Sequence, residues 1–192
     1  MKLQKPFTLT ILGRSGCGKG TQANFLLPKL KPVLFLQTGK LLRELAEKNS
    51  IVASKTKEVL KEGYLVPTWL AGHMWSDVII RSLKEKENIF LDGAPQEKKD
   101  AIFLDEVLKW LKRPLAVAIY LKISEKEAVK RLSMRGRMDD RPRAVSHRME
   151  FFKKSVRPVI NYYKKNKRLI EIDGTGDVKK IFKDIVKVLD VR

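Results

Sequence analysis

The segment GRSGCGKGTQ, residues 13–22, decides how the rest of the chain is read. Gly13, Gly18 and Lys19 fit the spacing of a phosphate-binding loop, G-x-x-x-x-G-K-[ST], except that Gly20 stands where the pattern has a hydroxyl and Thr21 follows it. The apolar run FTLTIL (7–12) precedes the segment and Phe25, Leu26 and Leu27 follow it, so the glycines form a turn between a strand and a helix. In that context backbone N–H groups approach an anion closely, the helix N-terminus adds a positive dipole, and Lys19 bridges two phosphates. A strand–helix turn that binds nothing has no need of the lysine.

Outward from the loop, short apolar runs recur at 33–37 (VLFLQ), 88–92 (NIFLD), 116–121 (AVAIYL) and 168–173 (RLIEID), with amphipathic stretches of helical period between them. Alternating strands and helices predict an α/β fold of the P-loop NTPase kind, a five-stranded parallel sheet flanked by helices. The segment 39–84 is too long for one crossover helix and predicts a small helical lobe. Asp92 closes a strand and is a candidate to hold a metal through water, as the second acidic motif of such sites does. The Arg-dense stretch MRGRMDDRP (134–142) is a candidate lid over a phosphate site, and the helical stretch after it is expected to break near Pro158.

Composition narrows the class further. The chain has 192 residues, 43% of them apolar, which suits one folding unit with an ordered core. No apolar run reaches the length of a signal-peptide core or a membrane span, so a soluble, cytoplasmic protein is expected. One cysteine, Cys17, excludes an internal disulfide; with only His73 and His147 besides, no zinc-site spacing exists. Cys17 reads as a spacer within the loop. The net charge of +19 is concentrated in residues 109–168, which hold 19 Lys and Arg against 5 Asp and Glu. That implies an anionic partner without choosing between nucleotide, nucleic acid and acidic surface.

The motifs taken in order resemble the adenylate kinase family of nucleoside monophosphate kinases, in its short-lid form. GKGTQ is similar to that family's version of the loop, in which the metal is held mainly by nucleotide phosphates and water. Thr38-Gly39-Lys40-Leu41-Leu42-Arg43 resembles TGDLLR, Gly63-Tyr64-Leu65-Val66-Pro67 resembles GKLVP, Asp92-Gly93-Ala94-Pro95-Gln96 resembles DGFPR, and Asp173-Gly174-Thr175 resembles the late loop over the ATP base. The resemblance implies a single kinase domain, 1–192, with an acceptor nucleotide-binding lobe at 37–66 and a shortened lid at 134–141. It implies Gly16, Cys17, Gly18, Lys19, Gly20, Thr21, Arg131, Arg135 and Gly176 around ATP. Around AMP it implies Thr38, Gly39, Arg43, Tyr64, Leu65, Val66, Gly93, Gln96, Asp100, Arg137 and Arg148. It implies Lys19, Arg135, Arg137 and Arg148 as the catalytic set, with Mg2+ held by Asp92 through water. The expected reaction is reversible γ-phosphoryl transfer from MgATP to AMP by a monomer that requires neither membrane nor nucleic acid.

Several positions depart from the family pattern. Only Gly136 separates Arg135 from Arg137, so the lid is trimmed further than in the usual short form. Gln96 stands where the family has an Arg on the acceptor phosphate, and Lys40 replaces an Asp. Asp100 stands where adenine-selective members carry Gln and pyrimidine-selective ones Asn, which keeps a UMP/CMP-type or other nucleoside monophosphate kinase as an alternative. Thr38 and Val66 favour AMP. A nucleic-acid-associated P-loop ATPase is the alternative from another class; a GTPase is disfavoured because Asn166-Lys167-Arg168-Leu169 lacks the Asp of N-K-x-D. No interleaving of basic and aromatic residues marks an RNA-binding module. Trp69, Trp75 and Trp110 are read as core, His73 as packed in the lobe, and His147 as a surface or interhelix residue.

Overall fold

The computed structural model describes residues 6–135 and 141–189. The five expected strands form at β1 (Thr8–Gly13), β2 (Val33–Gln37), β3 (Asn88–Asp92), β4 (Val117–Lys122) and β5 (Leu169–Asp173), all parallel, in the order β2-β3-β1-β4-β5. Their apolar runs are continuous because helices cover both faces. Leu9, Ile11, Ile119 and Leu121 point to one side, where α1 (Lys19–Leu26) and α9 (Val178–Leu189) contribute Ala23, Leu26, Ile181 and Ile185. Ile89, Leu91, Ala118 and Tyr120 point to the other, against Leu104 and Leu108 of α5 (Lys98–Trp110) and Val159 and Tyr163 of α8 (Arg157–Lys165).

Strand order locates the crevice. The chain leaves β1 toward β2 on one side and leaves β3 toward β4 on the other, so β1 and β3 are neighbours whose connections diverge. Ligand crevices of parallel α/β sheets open at such a point, outside the carboxyl ends of the strands. Gly13 and Asp92 end those two strands.

Between β2 and β3 the chain forms α2 (Thr38–Ala46), α3 (Ile51–Lys61) and α4 (Thr68–Ser82). Ser50 starts α3 by accepting the Ala53 N–H at 3.1 Å, as an N-cap does. Leu42, Val66, Leu70 and Ala71 make a small apolar cluster of their own. After β4 come α6 (Glu125–Arg135) and α7 (Pro142–Phe151).

The break expected near Pro158 takes a different form. A five-residue π-helical turn, Phe152–Val156, joins α7 directly to α8. Pro158 has no N–H for the carbonyl four residues before it; the wider turn absorbs that loss, with the Arg157 N–H donating to Phe152 five residues back. The helix continues through the proline in a changed register.

Two tryptophans correct the core reading. Trp75 is fully buried, but Trp69 is 65% and Trp110 82% exposed, and His73 is exposed as well. Trp110 closes α5 two positions past buried Leu108, and so points away from the sheet. A clamp that sequence spacing does not suggest lies where α5 meets the start of β5. Arg168 donates from Nη1 and Nη2 to Asp105 Oδ1 and Oδ2 at 2.9 and 2.5 Å and from Nη1 to the Ala116 carbonyl at 2.9 Å, while the Tyr162 hydroxyl donates to Asp105 Oδ2 at 2.7 Å. No described helix is long and apolar enough to cross a membrane.

Candidate active site

The loop of residues 13–18 turns because its glycines occupy conformations and spaces closed to other residues. Gly13 has φ +150°, and a Cβ there would lie 2.6 Å from Cys17 Sγ and 2.7 Å from the Leu121 carbonyl oxygen; at Gly16, with φ +86°, it would lie 2.8 Å from the Ala128 carbonyl oxygen. Cys17 is more than a spacer: it is 1% exposed and its side chain joins the core beneath the loop. Lys19, the first residue of α1, folds back across the loop, its Nζ donating to the carbonyls of Gly13 and Arg14 at 3.0 and 3.1 Å. Gly20 faces the end of β3, where a Cβ would stand 3.9 Å from Asp92 Oδ2. The missing side chain at position 20 thus keeps space between the first turn of α1 and the Asp92 carboxylate. Thr21 is exposed on the next position of the helix.

Asp92 is 7% exposed and accepts a hydrogen bond from Gln37 Nε2 at 3.0 Å. Among the described residues no group of three or more metal-ligating side chains gathers anywhere. A single carboxylate at the strand end, with open space beside it, fits a hydrated Mg2+ whose other ligands are phosphates and water. Directly after Gln37, Thr38 opens α2 with its side chain fully buried, and its Oγ1 has no hydrogen-bond partner among the described residues. Arg43 reaches back along α2, and a Cβ on Gly39 would meet its Nη1 at 3.4 Å. Val66 is buried in the small cluster of the lobe, with Leu65 half-buried before it.

Gln96 lies near Gly93, whose hypothetical Cβ would stand 3.8 Å from Gln96 Nε2. Its backbone N–H donates to Asp100 Oδ2 at 2.9 Å, and Trp75 Nε1 donates to Asp100 Oδ1 at 3.1 Å. Asp100 is 1% exposed. Burial pushes its carboxyl above the usual carboxylate range, against the Gln96 amide and the Trp75 indole, which favour the ionised form. Both oxygens are thereby engaged inside the protein, holding the Gln96 turn to α4.

On the other flank, Arg131 bonds Glu127 Oε1 at 2.7 Å and the Gly174 carbonyl at 3.0 Å, tying α6 to the loop that contains Gly176. Arg135 is the last described residue of α6, and Arg148 is half-buried on α7. Arg137, and with it 136–140 of the expected lid, lies outside the described residues.

The side chain of Tyr64 packs against α7. It stacks on His147 of α7 with ring centroids 4.2 Å apart and planes 19° from parallel, its hydroxyl 3.2 Å from Nε2. His147 Nδ1 lies 2.8 Å from the Glu62 carbonyl, which only accepts, so Nδ1 carries the proton. Beside this contact a Cβ on Gly63 would fall within 3.0 Å of Ala144, and Arg143 lies 3.8 Å from Glu62. The end of α3 is therefore clasped to the helix that carries Arg148.

The family described as Adenylate kinase matches residues 11–168, from inside β1 to the residue before β5. The chain belongs to the adenylate kinase family. It is 38% identical over 179 residues to an adenylate kinase of Prochlorococcus marinus (strain AS9601), covering 92% of this chain and 95% of the relative. The figures are 35% over 181 residues for strain NATL1A (94% and 97% covered) and 30% over 182 residues for an Oenococcus oeni adenylate kinase (94% and 96%). An adenylate kinase family fold accounts for the order in which the loop, the acceptor-side segments and the Arg-bearing helices occur.

Three residues of the site carried no sequence signal. Arg14 occupies a permissive loop position, yet its Nη1 donates to the Ile123 carbonyl at 3.1 Å and its guanidinium covers the Phe152 ring at 4.1 Å, fixing the loop to the residue after β4 and to the π turn. Gln37 orients Asp92, and His147 closes the clasp. Each acts through a partner at least 55 positions away.

Proposed function

We propose that this adenylate kinase family member transfers the γ-phosphoryl group of MgATP to AMP, reversibly, giving two ADP. The reading rests on one combination: a phosphate loop with Lys19 folded across it, in a chain similar along more than nine-tenths of its length to adenylate kinases. The backbone N–H groups of Gly16, Cys17, Gly18, Lys19, Gly20 and Thr21 hold the donor phosphates, and Arg131 with Gly176 borders the ATP base. Mg2+, oriented by Asp92 through water, would neutralise charge on the donor phosphates. Lys19, Arg135, Arg137 and Arg148 draw charge off the transferring group, whose acceptor is already an anionic oxygen, so positioning and neutralisation suffice without a strong base. Thr38, Gly39, Arg43, Leu65, Val66, Gly93 and the backbone of Tyr64 surround the acceptor, and the unpartnered Thr38 hydroxyl is a ready partner for an acceptor base. Asp100 contributes by holding Gln96 in place. The same reading makes 1–192 one kinase domain with an acceptor lobe at 37–66 and a lid at 134–141, acting as a cytoplasmic monomer.

The test is product analysis with MgATP and AMP, CMP, UMP, GMP or no acceptor. ADP formed only with AMP supports the reading. A CMP, UMP or GMP preference transfers it to another nucleoside monophosphate kinase, and hydrolysis without transfer replaces it with an ATPase.

Two variants probe the acceptor side. Gln96→Arg exchanges a neutral hydrogen bond for a charge-assisted one and is expected to lower the KM for AMP about fivefold, measured by steady-state kinetics; an unchanged KM means that another cation already serves the acceptor phosphate. His147→Ala removes both the stack and the bond to Glu62. Its expected signature is a KM for AMP raised about tenfold with the KM for ATP unmoved, because only the acceptor lobe is released. Equal increases in both would assign His147 a general structural role.

A further inference from the structure

Parallel strands gather all the loops that enter the sheet at one pole, opposite the phosphate loop. Two arginines at this pole turn inward and are consumed by the fold. Arg113 donates to the carbonyls of Glu85 and Glu87, and Arg168 is held by Asp105 and Ala116. The lysines turn outward. Lys109 and Lys112 at the end of α5, and Lys165 and Lys167 at the end of α8, are exposed, and none forms an ion pair among the described residues. The two helix ends are joined through the Asp105–Arg168 clamp, so these four charges share one rigid surface. Loops entering β2 and β3 add four more exposed lysines. Between Lys109 and Lys112 stands Trp110, 82% exposed, the most exposed aromatic side chain described. Lysines in a last helical turn complement the helix dipole, but that explanation leaves Trp110 without a role.

We propose that this pole is a docking surface for single-stranded nucleic acid, with Trp110 stacking on a base and Lys109, Lys112, Lys165 and Lys167 meeting the phosphates around it. A flat aromatic within a field of unpaired cations is what a sequence-tolerant single-strand site requires, since every base has a π face and every linkage a charge. A lipid surface also attracts lysines, but it favours several apolar side chains to insert, and among the described residues the ends of α5 and α8 expose one large one, Trp110. The pole lies at the other end of the strands from the loop of residues 13–18, so nucleotide and nucleic acid would be held together without competing.

The experiment measures anisotropy of a fluorescent 12-nucleotide uridine oligomer with the full chain, in saturating MgADP and AMP so that the phosphate loop is occupied. Four phosphate contacts would make affinity fall about 50-fold between 50 and 200 mM salt. Trp110→Ala is expected to weaken binding about tenfold for the single strand and not for a duplex of the same length. The combined variant K112E/K165E/K167E should abolish binding and flatten the salt dependence while leaving kcat and both KM values unchanged. Absence of binding at 50 mM salt would overturn the proposal, as would binding indifferent to both variants. Release of the same variants from phosphatidylserine vesicles, with no oligomer binding by the wild type, would overturn it in favour of a membrane surface.

Discussion

Lys19→Ala is expected to lower kcat for phosphoryl transfer about 10³-fold while the melting temperature stays within a few degrees of the parent. In the protein alone the ammonium satisfies the Gly13 and Arg14 carbonyls. Both lie at a part-exposed mouth where water replaces a lost donor, so folding loses little. Transfer loses far more. The charge that develops between donor and acceptor is met by groups already fixed in place, and deletion of one such group typically costs 10²- to 10³-fold. Lys19 is moreover positioned by the turn that shapes the loop, so no neighbouring cation slides into its place without moving Gly13 or Gly18, both at positive φ. Single-turnover measurement of ADP formation, with ATP binding followed separately, checks the expectation. A loss below tenfold would remove Lys19 from the catalytic set.

Asp105→Ala should produce the largest loss of stability of any single exchange away from the apolar core. Arg168 is 14% exposed at its side chain and Asp105 6%, so the substitution strands a guanidinium in a place water barely reaches. The Tyr162 hydroxyl loses its acceptor in the same step. Breaking such a pair from one side typically costs about 3–5 kcal/mol, equivalent here to a fall of roughly 10 °C in Tm. Replacing both partners, Asp105→Leu with Arg168→Met, is expected to recover most of that loss. Thermal melts of the three variants test this, and a single mutant within 2 °C of the parent would show that water reaches the pair (about 0.5–1 kcal/mol).

The strands were legible because each is a short apolar run buried on both faces, and the donor loop because its glycines and lysine occur at fixed spacing in one stretch. The same holds for the α/β class and for the family. What escaped were contacts between segments far apart in sequence. Nothing near Asp105 announces Arg168, and nothing in WLAGHMW separates Trp75, which is buried, from Trp69, which is not. His147 sits among basic residues that read as a solvated face; only the fold brings Tyr64 and Glu62 to it. Likewise the sequence shows no interleaving of aromatic and basic residues, because α5, which ends in Trp110, and α8, which ends in lysines, are linked only through Asp105 with Tyr162 and Arg168. Proline at 158 correctly marked an irregularity, but whether the helix stops or widens depends on the carbonyls that must be satisfied around it.

The widened turn has a consequence for angular phase. An α-helix advances about 100° per residue, so one surplus residue at 152–156 rotates everything upstream by that amount relative to α8. Val159, Ile160 and Tyr163 anchor α8 to the sheet; His147 and Arg148 lie on the upstream side. Were the segment to shorten by one residue into regular α-helix, the apolar seat would survive while both side chains swung about a quarter turn away from where they now face. The direction in which α7 presents its polar groups is thus set by the count of residues across Phe152–Val156, as the thread of a screw sets the angle of its slot.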